Sequence, residues 1–222
     1  MSSATTPPGA RAVTAPARLP WTGADAADRL IAENPNALLI GFVLDQQITV
    51  QKAFAGPLVM LERLGTLDAG EIARMDPETL AAAFRRTPAI HRFPANMAAR
   101  VQALCAHLAE AYSGDASRIW REAADGRDLV RRLKGLPGFG EMKVRTVTGL
   151  LFKQFAVRLE GLEALVPDYP TLADVTTPEE LERYQAGKRA WKASMRAQGI
   201  DHSVPRRRSA ASGQPRGDEA GR

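Results

Sequence analysis

Apolar residues recur three and four positions apart along nearly the whole chain, and no stretch of strict apolar–polar alternation is bounded by turn residues. That pattern predicts an all-α protein. Thr22 or Asp25 opens a short helix through Ile31, and Asn34 with Pro35 starts a buried one through about Lys52. Short helices follow over 68–75 and 77–86, the second with Asp76 as N-cap and Pro77 in the first helical position. In FPANMAARVQALCAHLAEAY the stripe Met97, Val101, Leu104, Leu108 has helical spacing. A helix over 117–123 carries Trp120, and Asp125 or Asp128 starts another through Leu133. Val144, Val147, Leu151 and Phe155 mark one more. Thr177 and Pro178 start the last, with Leu181, Tyr184, Trp191 and Met195 inward and Lys188, Arg189, Lys192 and Arg196 mostly outward. Packing is the role expected of Trp21, Trp120 and Trp191.

Residues 1–18 and 203–222 have little to bury, so they read as a disordered lead and a disordered basic tail around a folded part over 19–202. A hydrophobic content of 45% is enough for a core there. The longest apolar run, LLIGFVL, falls far short of the roughly 20 residues that span a bilayer, so no membrane association is expected. A formal charge of +5, a pI near 9.7 and the run Arg206, Arg207, Arg208 favour a polyanionic partner, nucleic acid first. Cys105 is the sole cysteine, which excludes an internal disulfide framework, a four-thiolate zinc site and a four-cysteine iron-sulfur cluster. The reducing cytoplasm suits such a chain. His91 and His202 have no ligand-type residue at metal-binding spacing, so neither a metal nor a cofactor is expected.

The stretch LPGFGEMKVR, residues 136–145, stands apart. A helix ending at Lys134, a Gly/Pro turn and a helix beginning at Glu141 make a tight helical hairpin. Gly138 and Gly140 permit positive φ and close approach to bare backbone, while the first amides of the second helix lack intrahelical acceptors and lie at its positive end. A phosphate fits there. Lys134, Lys143 and Arg145 put cations around the same turn.

LPGFGEMKV resembles the helix-hairpin-helix motif of the HhH-GPD superfamily of DNA glycosylases, a Leu-Pro-Gly-hydrophobic-Gly turn followed by a helix. Upstream, LLIGFVLDQQITVQKAF is similar to that family's early helix ending in a Gln-bearing stretch, and IHRFPANMAARVQALC to the segment leading into its long middle helix. The resemblance covers about residues 35–157 and is nearest to a small bacterial branch without the iron-sulfur cluster. It implies a two-lobe helical fold with the hairpin at 129–155, acting as a monomer on double-stranded DNA near the nucleoid. The damaged or mismatched base would be rotated out of the stack into a cleft between the lobes. Gly138, Gly140, Lys143, Arg145 and Lys134 would bind DNA, and Gln47 would fill the gap left by the extruded nucleotide. Asp45, beside the apolar run, either caps its helix or lines the cleft.

Breaking the base–sugar bond builds positive charge on the deoxyribose, so one carboxylate is required to stabilise it and activate water. Family members that also cut the strand use a lysine two residues after the second glycine; here that position is Met142. Lys143, one residue on, is turned about 100° around the helix, toward phosphate. A monofunctional glycosylase is therefore expected. The family's acid follows the second hairpin helix in a Val-Asp context that FAVRLEGLEALVPDYPTLADV lacks. Glu160 lies at the right distance and Asp168 follows Pro167 but comes late, and both remain catalytic candidates. Asp174 reads as part of a helix start and Glu163 as a solvated face. The resemblance implies alkylated purines as a substrate class. A noncatalytic DNA-binding or damage-sensing protein is the alternative.

Overall fold

A computed structural model describes residues 14–197, and among these it contains ten α-helices and no strand. The lead up to residue 13, His202 and the tail with Arg206 lie outside the described residues. The helices are α1 (Asp25–Glu33), α2 (Pro35–Leu44), α3 (Val50–Leu64), α4 (Ala69–Arg74), α5 (Pro77–Arg85), α6 (Pro94–Tyr112), α7 (Arg118–Arg121), α8 (Gly126–Lys134), α9 (Glu141–Lys153) and α10 (Pro178–Ala197). Short 3₁₀ turns at Glu163–Leu165 and Leu172–Asp174 fill the link between α9 and α10. The chain forms two compact units, Met1–Ala186 and Gly187–Arg222, the second beginning within α10.

Side-chain caps fix many of the helix starts. Asn34 accepts from Ala37, Thr49 from Lys52, Asp68 from Glu71, Asp76 from Thr79 and Asp125 from Asp128, each filling an amide that a first turn leaves bare. In the first unit one continuous core runs from Leu19 to Leu181. α2 is apolar on every side and buried from Ala37 to Leu44, so it serves as the strut on which α1, α3 and α6 pack. Trp21, Phe42 and Phe54 form an edge-to-face cluster at its middle. α8, α9 and the two 3₁₀ turns pack on one another, and Phe139 approaches Phe42 with ring centroids 6.4 Å apart.

Two expectations need correction. The helix foreseen from Asn34 to about Lys52 is two helices, broken over residues 45–49, where Gln47 takes a left-handed φ of 57°. No Gly or Pro announces that break. Trp191, foreseen inward, is 56% exposed, whereas Trp21 and Trp120 are buried. Within the first unit, Leu181 is buried and Tyr184 half-buried, as the stripe implied.

Candidate nucleic-acid interface at the hairpin

The LPGFG turn alternates by size. Leu136 and Phe139 are buried and anchor it, while Gly138 and Gly140 are exposed. Gly138 holds φ at +83°, a value L side chains resist, and a Cβ built there would meet only Val43 Cγ2, at 3.8 Å. The tip therefore lies over the last turn of α2 with its backbone open. No side chain caps α9 at Gly140. The amides of Glu141, Met142 and Lys143 precede the first i→i−4 bond, from Val144 N–H to Gly140 C=O, and stand at the positive end of the helix.

The cations around this tip differ in kind. Lys134 is exposed. Arg145 is exposed and paired with Glu141 at 2.7 Å, beside Tyr169. Lys143 is half-buried, where sequence spacing had turned it toward phosphate. Its Nζ folds back to the Gly138 carbonyl at 3.4 Å and lies 6.0 Å from the Phe139 ring centroid. Burial pulls its pKa down to about 8, against the upward pull of Asp45 and with a smaller downward push from Arg100. Met142, at the position of the family's lysine, is 64% exposed, and the Tyr169 hydroxyl lies 4.0 Å from its sulfur.

A titration follows. Because the folded pKa is below the usual lysine value, the unfolded chain binds more protons between about pH 8 and 10.5, so this group makes stability rise with pH across that window. In NMR of reductively dimethylated protein, the Lys143 resonance is expected to titrate near pH 8 and to disappear in Lys143→Met. An ordinary lysine midpoint would refute the burial.

The break after α2 is fastened by polar contacts to α2, to α6 and to the loop before α6. Gln46 donates to the Val43 carbonyl at 2.8 Å, accepts from Arg100 of α6 at 2.6 Å, and its own carbonyl lies 2.9 Å from His91 Nε2. His91 Nδ1 accepts from the Phe93 amide at 3.0 Å, so Nε2 carries the proton and donates to Gln46. His91 is buried, which depresses its pKa; it is a neutral pin between two turns. Gln46 is thus structural, and Gln47, exposed in its left-handed conformation, is presented outward by the same turn. Phe93, 43% exposed with Arg92 stacked 4.7 Å from its ring centroid, lies on the loop that His91 fastens.

The candidate acids are spread out. The Glu160 carbonyl accepts from Gly126 at 2.9 Å, at the start of α8. Nine residues of helix put about 13 Å between that end and the turn, and the exposed Glu160 side chain is not brought to the tip. Asp168 is exposed beside α9, between Pro167, packed over Gly149, and Tyr169, beside Met142. Asp174 is occupied by Lys153 and by the Thr171 cap, in keeping with a helix start. Asp45 is the acid that acts on the hairpin lysine, and it also helps hold the half-buried Tyr184 hydroxyl at a pKa of about 12, after burial itself. The signal for Asp45 was a carboxylate directly after a seven-residue apolar run.

Among the described residues no cluster of three or more His, Cys, Asp or Glu could hold a metal, and no helix is long and apolar enough to cross a membrane. Cys105 is buried in α6, which pushes its thiol up to about 12. Fold and site define an all-α protein with an uncapped, glycine-rich hairpin tip ringed by basic residues. No family model matches the chain, and neither a curated protein nor a solved structure does.

Proposed function

We propose that this protein binds duplex DNA through the LPGFG hairpin and acts as a monofunctional DNA glycosylase, hydrolysing the N-glycosidic bond of a damaged or mismatched base turned out of the helix. The observation that carries the reading is the exposed, uncapped start of α9 between Gly138 and Lys143. The amides of Glu141, Met142 and Lys143 there lack intrahelical acceptors at the positive end of the helix, with Lys134 and Arg145 on the flanking helices to attract a phosphate backbone. Gln47, exposed on the turn that Gln46 fastens to Arg100 and His91, suits the role of filling the emptied stack. Hydrolysis needs a carboxylate near the sugar and no lysine nucleophile. The Lys143 amine, folded onto the Gly138 carbonyl, is consistent with that chemistry.

The second reading, a noncatalytic hairpin protein that senses damage, is favoured by one observation: Glu160 lies at the far end of α8 from the tip. A panel of single-lesion duplexes, alkylated purines first, assayed for abasic-site formation, separates the two. Release from at least one duplex is expected, with affinity falling as salt rises. Borohydride is expected to trap no covalent complex on an abasic-site duplex. Trapping that vanished in Lys143→Ala would overturn the monofunctional assignment, and affinity indifferent to salt would overturn DNA binding altogether.

A further inference from the structure

We propose that the end of α10 is a second nucleic-acid site, one that holds an unpaired strand by stacking a base on Trp191 and pairing its phosphates with the cations around that ring. The site lies outside the hairpin and outside residues 35–157, so the duplex-binding reading above does not assign it. From Ala186 to Trp191 every residue is exposed. Six such residues make more than one full turn, so water reaches this helix on all sides and burial does not account for the tryptophan. An indole 56% exposed is unusual, because Trp is highly buried on average. Its neighbours Lys188 and Arg189 are exposed too. In the sequence of the same helix Lys192 and Arg196 follow Lys188 at steps of four, the helical repeat.

Charge points the same way. Residues 187–222 hold nine of the chain's 30 Lys and Arg and three of its 25 Asp and Glu, a net +6, whereas residues 1–186 hold 21 and 22, a net −1. The polycation is thus the unit that begins at Gly187, and the unit carrying the hairpin is close to neutral. Such a density of positive charge attracts phosphates without choosing a sequence. Charge alone would suit a duplex as well as a single strand. The indole decides between them, because bases in a duplex are already stacked on one another, whereas an unpaired base has a face to offer an aromatic ring. An anionic membrane is the other surface that basic helices with Trp meet, but it takes up a stripe of apolar side chains. Trp191 is the sole large apolar residue among the exposed positions 186–191, so α10 has no such stripe there.

The test titrates the full chain with oligothymidine at low salt, following protein fluorescence and the anisotropy of a labelled strand. Trp21 and Trp120 are buried, so quenching by a stacked base reports on Trp191. Quenching is expected with the single strand and little with a duplex. Trp191→Ala removes stacking and no charge, so it is expected to weaken single-strand binding about fivefold or more at an unchanged salt slope, and Trp191→Phe to stay within roughly threefold of the parent. Lys188→Gln combined with Arg189→Gln is expected to lower the salt slope by about 1.4, at about 0.7 for each phosphate contact on a single strand. Gly140→Asp is expected to leave single-strand binding unchanged. Parent affinity in Trp191→Ala overturns the assignment, as does equal quenching by the duplex, or quenching by phosphatidylserine vesicles but not by oligothymidine. Loss of single-strand binding in Gly140→Asp also overturns it, by placing the strand on the hairpin. The two readings fail separately: a lack of base release from every lesion duplex leaves this site standing, and a lack of oligothymidine binding removes it while the glycosylase reading stands.

Discussion

If the hairpin binds DNA as proposed, Gly140→Asp is expected to lower affinity for a duplex by about tenfold or more while leaving thermal stability unchanged or raised by roughly 0.5 kcal/mol. The opposite signs come from one event. Gly140 has φ −83° and ψ 173°, the extended conformation an N-cap residue takes, and a Cβ there meets nothing within 4 Å. An aspartate fits without strain and can accept from the α9 amides, which gains a cap and a favourable dipole contact. That carboxylate then occupies the position proposed for a phosphate and repels the backbone that carries it. Electrophoretic or fluorescence titration with a duplex, beside a melting curve, reads both effects. Raised stability with undiminished affinity would mean that DNA, if bound, is held elsewhere. Gly140→Ala is the control, since it leaves the amides bare and adds no charge.

Phe54→Ala is expected to cost about 3–5 kcal/mol, a large part of the total stability of an ordinary domain. The ring is fully buried and meets Trp21 with centroids 4.8 Å apart and Phe42 at 5.0 Å, both edge to face. It also fills the space beside Gly41 of α2, where an added Cβ would lie 2.5 Å from the Phe54 Cδ1 atom. Truncation leaves a cavity that the surrounding helices cannot close without moving α2. Because α2 ends at the turn bearing Asp45 and Gln47, the damage is expected to reach that turn. Urea unfolding followed by Trp fluorescence measures the loss as a lower midpoint at constant slope. A loss below 1 kcal/mol would show that α2 does not depend on this ring.

Much of the fold was legible locally. Asn34 and Asp76 cap helices where they were read to do so, Asp125 is the cap of the two acids offered for α8, and the stripe from Met97 to Leu108 faces inward along α6. These features depend on neighbours within about four residues, which is the range over which side chains compete for helical amides. The hairpin was equally plain, because Leu136 and Phe139 had an apolar place to go and Gly138 and Gly140 had none. The break over residues 45–49 was not. DQQIT contains no Gly or Pro, and the helix stops there because Gln46 finds partners in Val43, Arg100 and His91, the last two far along the chain.

The same division holds for the charged groups. Residue order alone settled the helical class, most helix starts and the uncapped glycine tip, since each follows from short-range sterics and from amides that nearby residues leave bare. Assembly decided which charges face that tip. Lys143 is drawn under the turn instead of outward, Glu160 is carried to the opposite end of α8, and the charge of Asp45 reaches Lys143. The reason is physical: how strongly a charge is desolvated, and which opposite charge it meets, depend on segments brought together only when the helices pack.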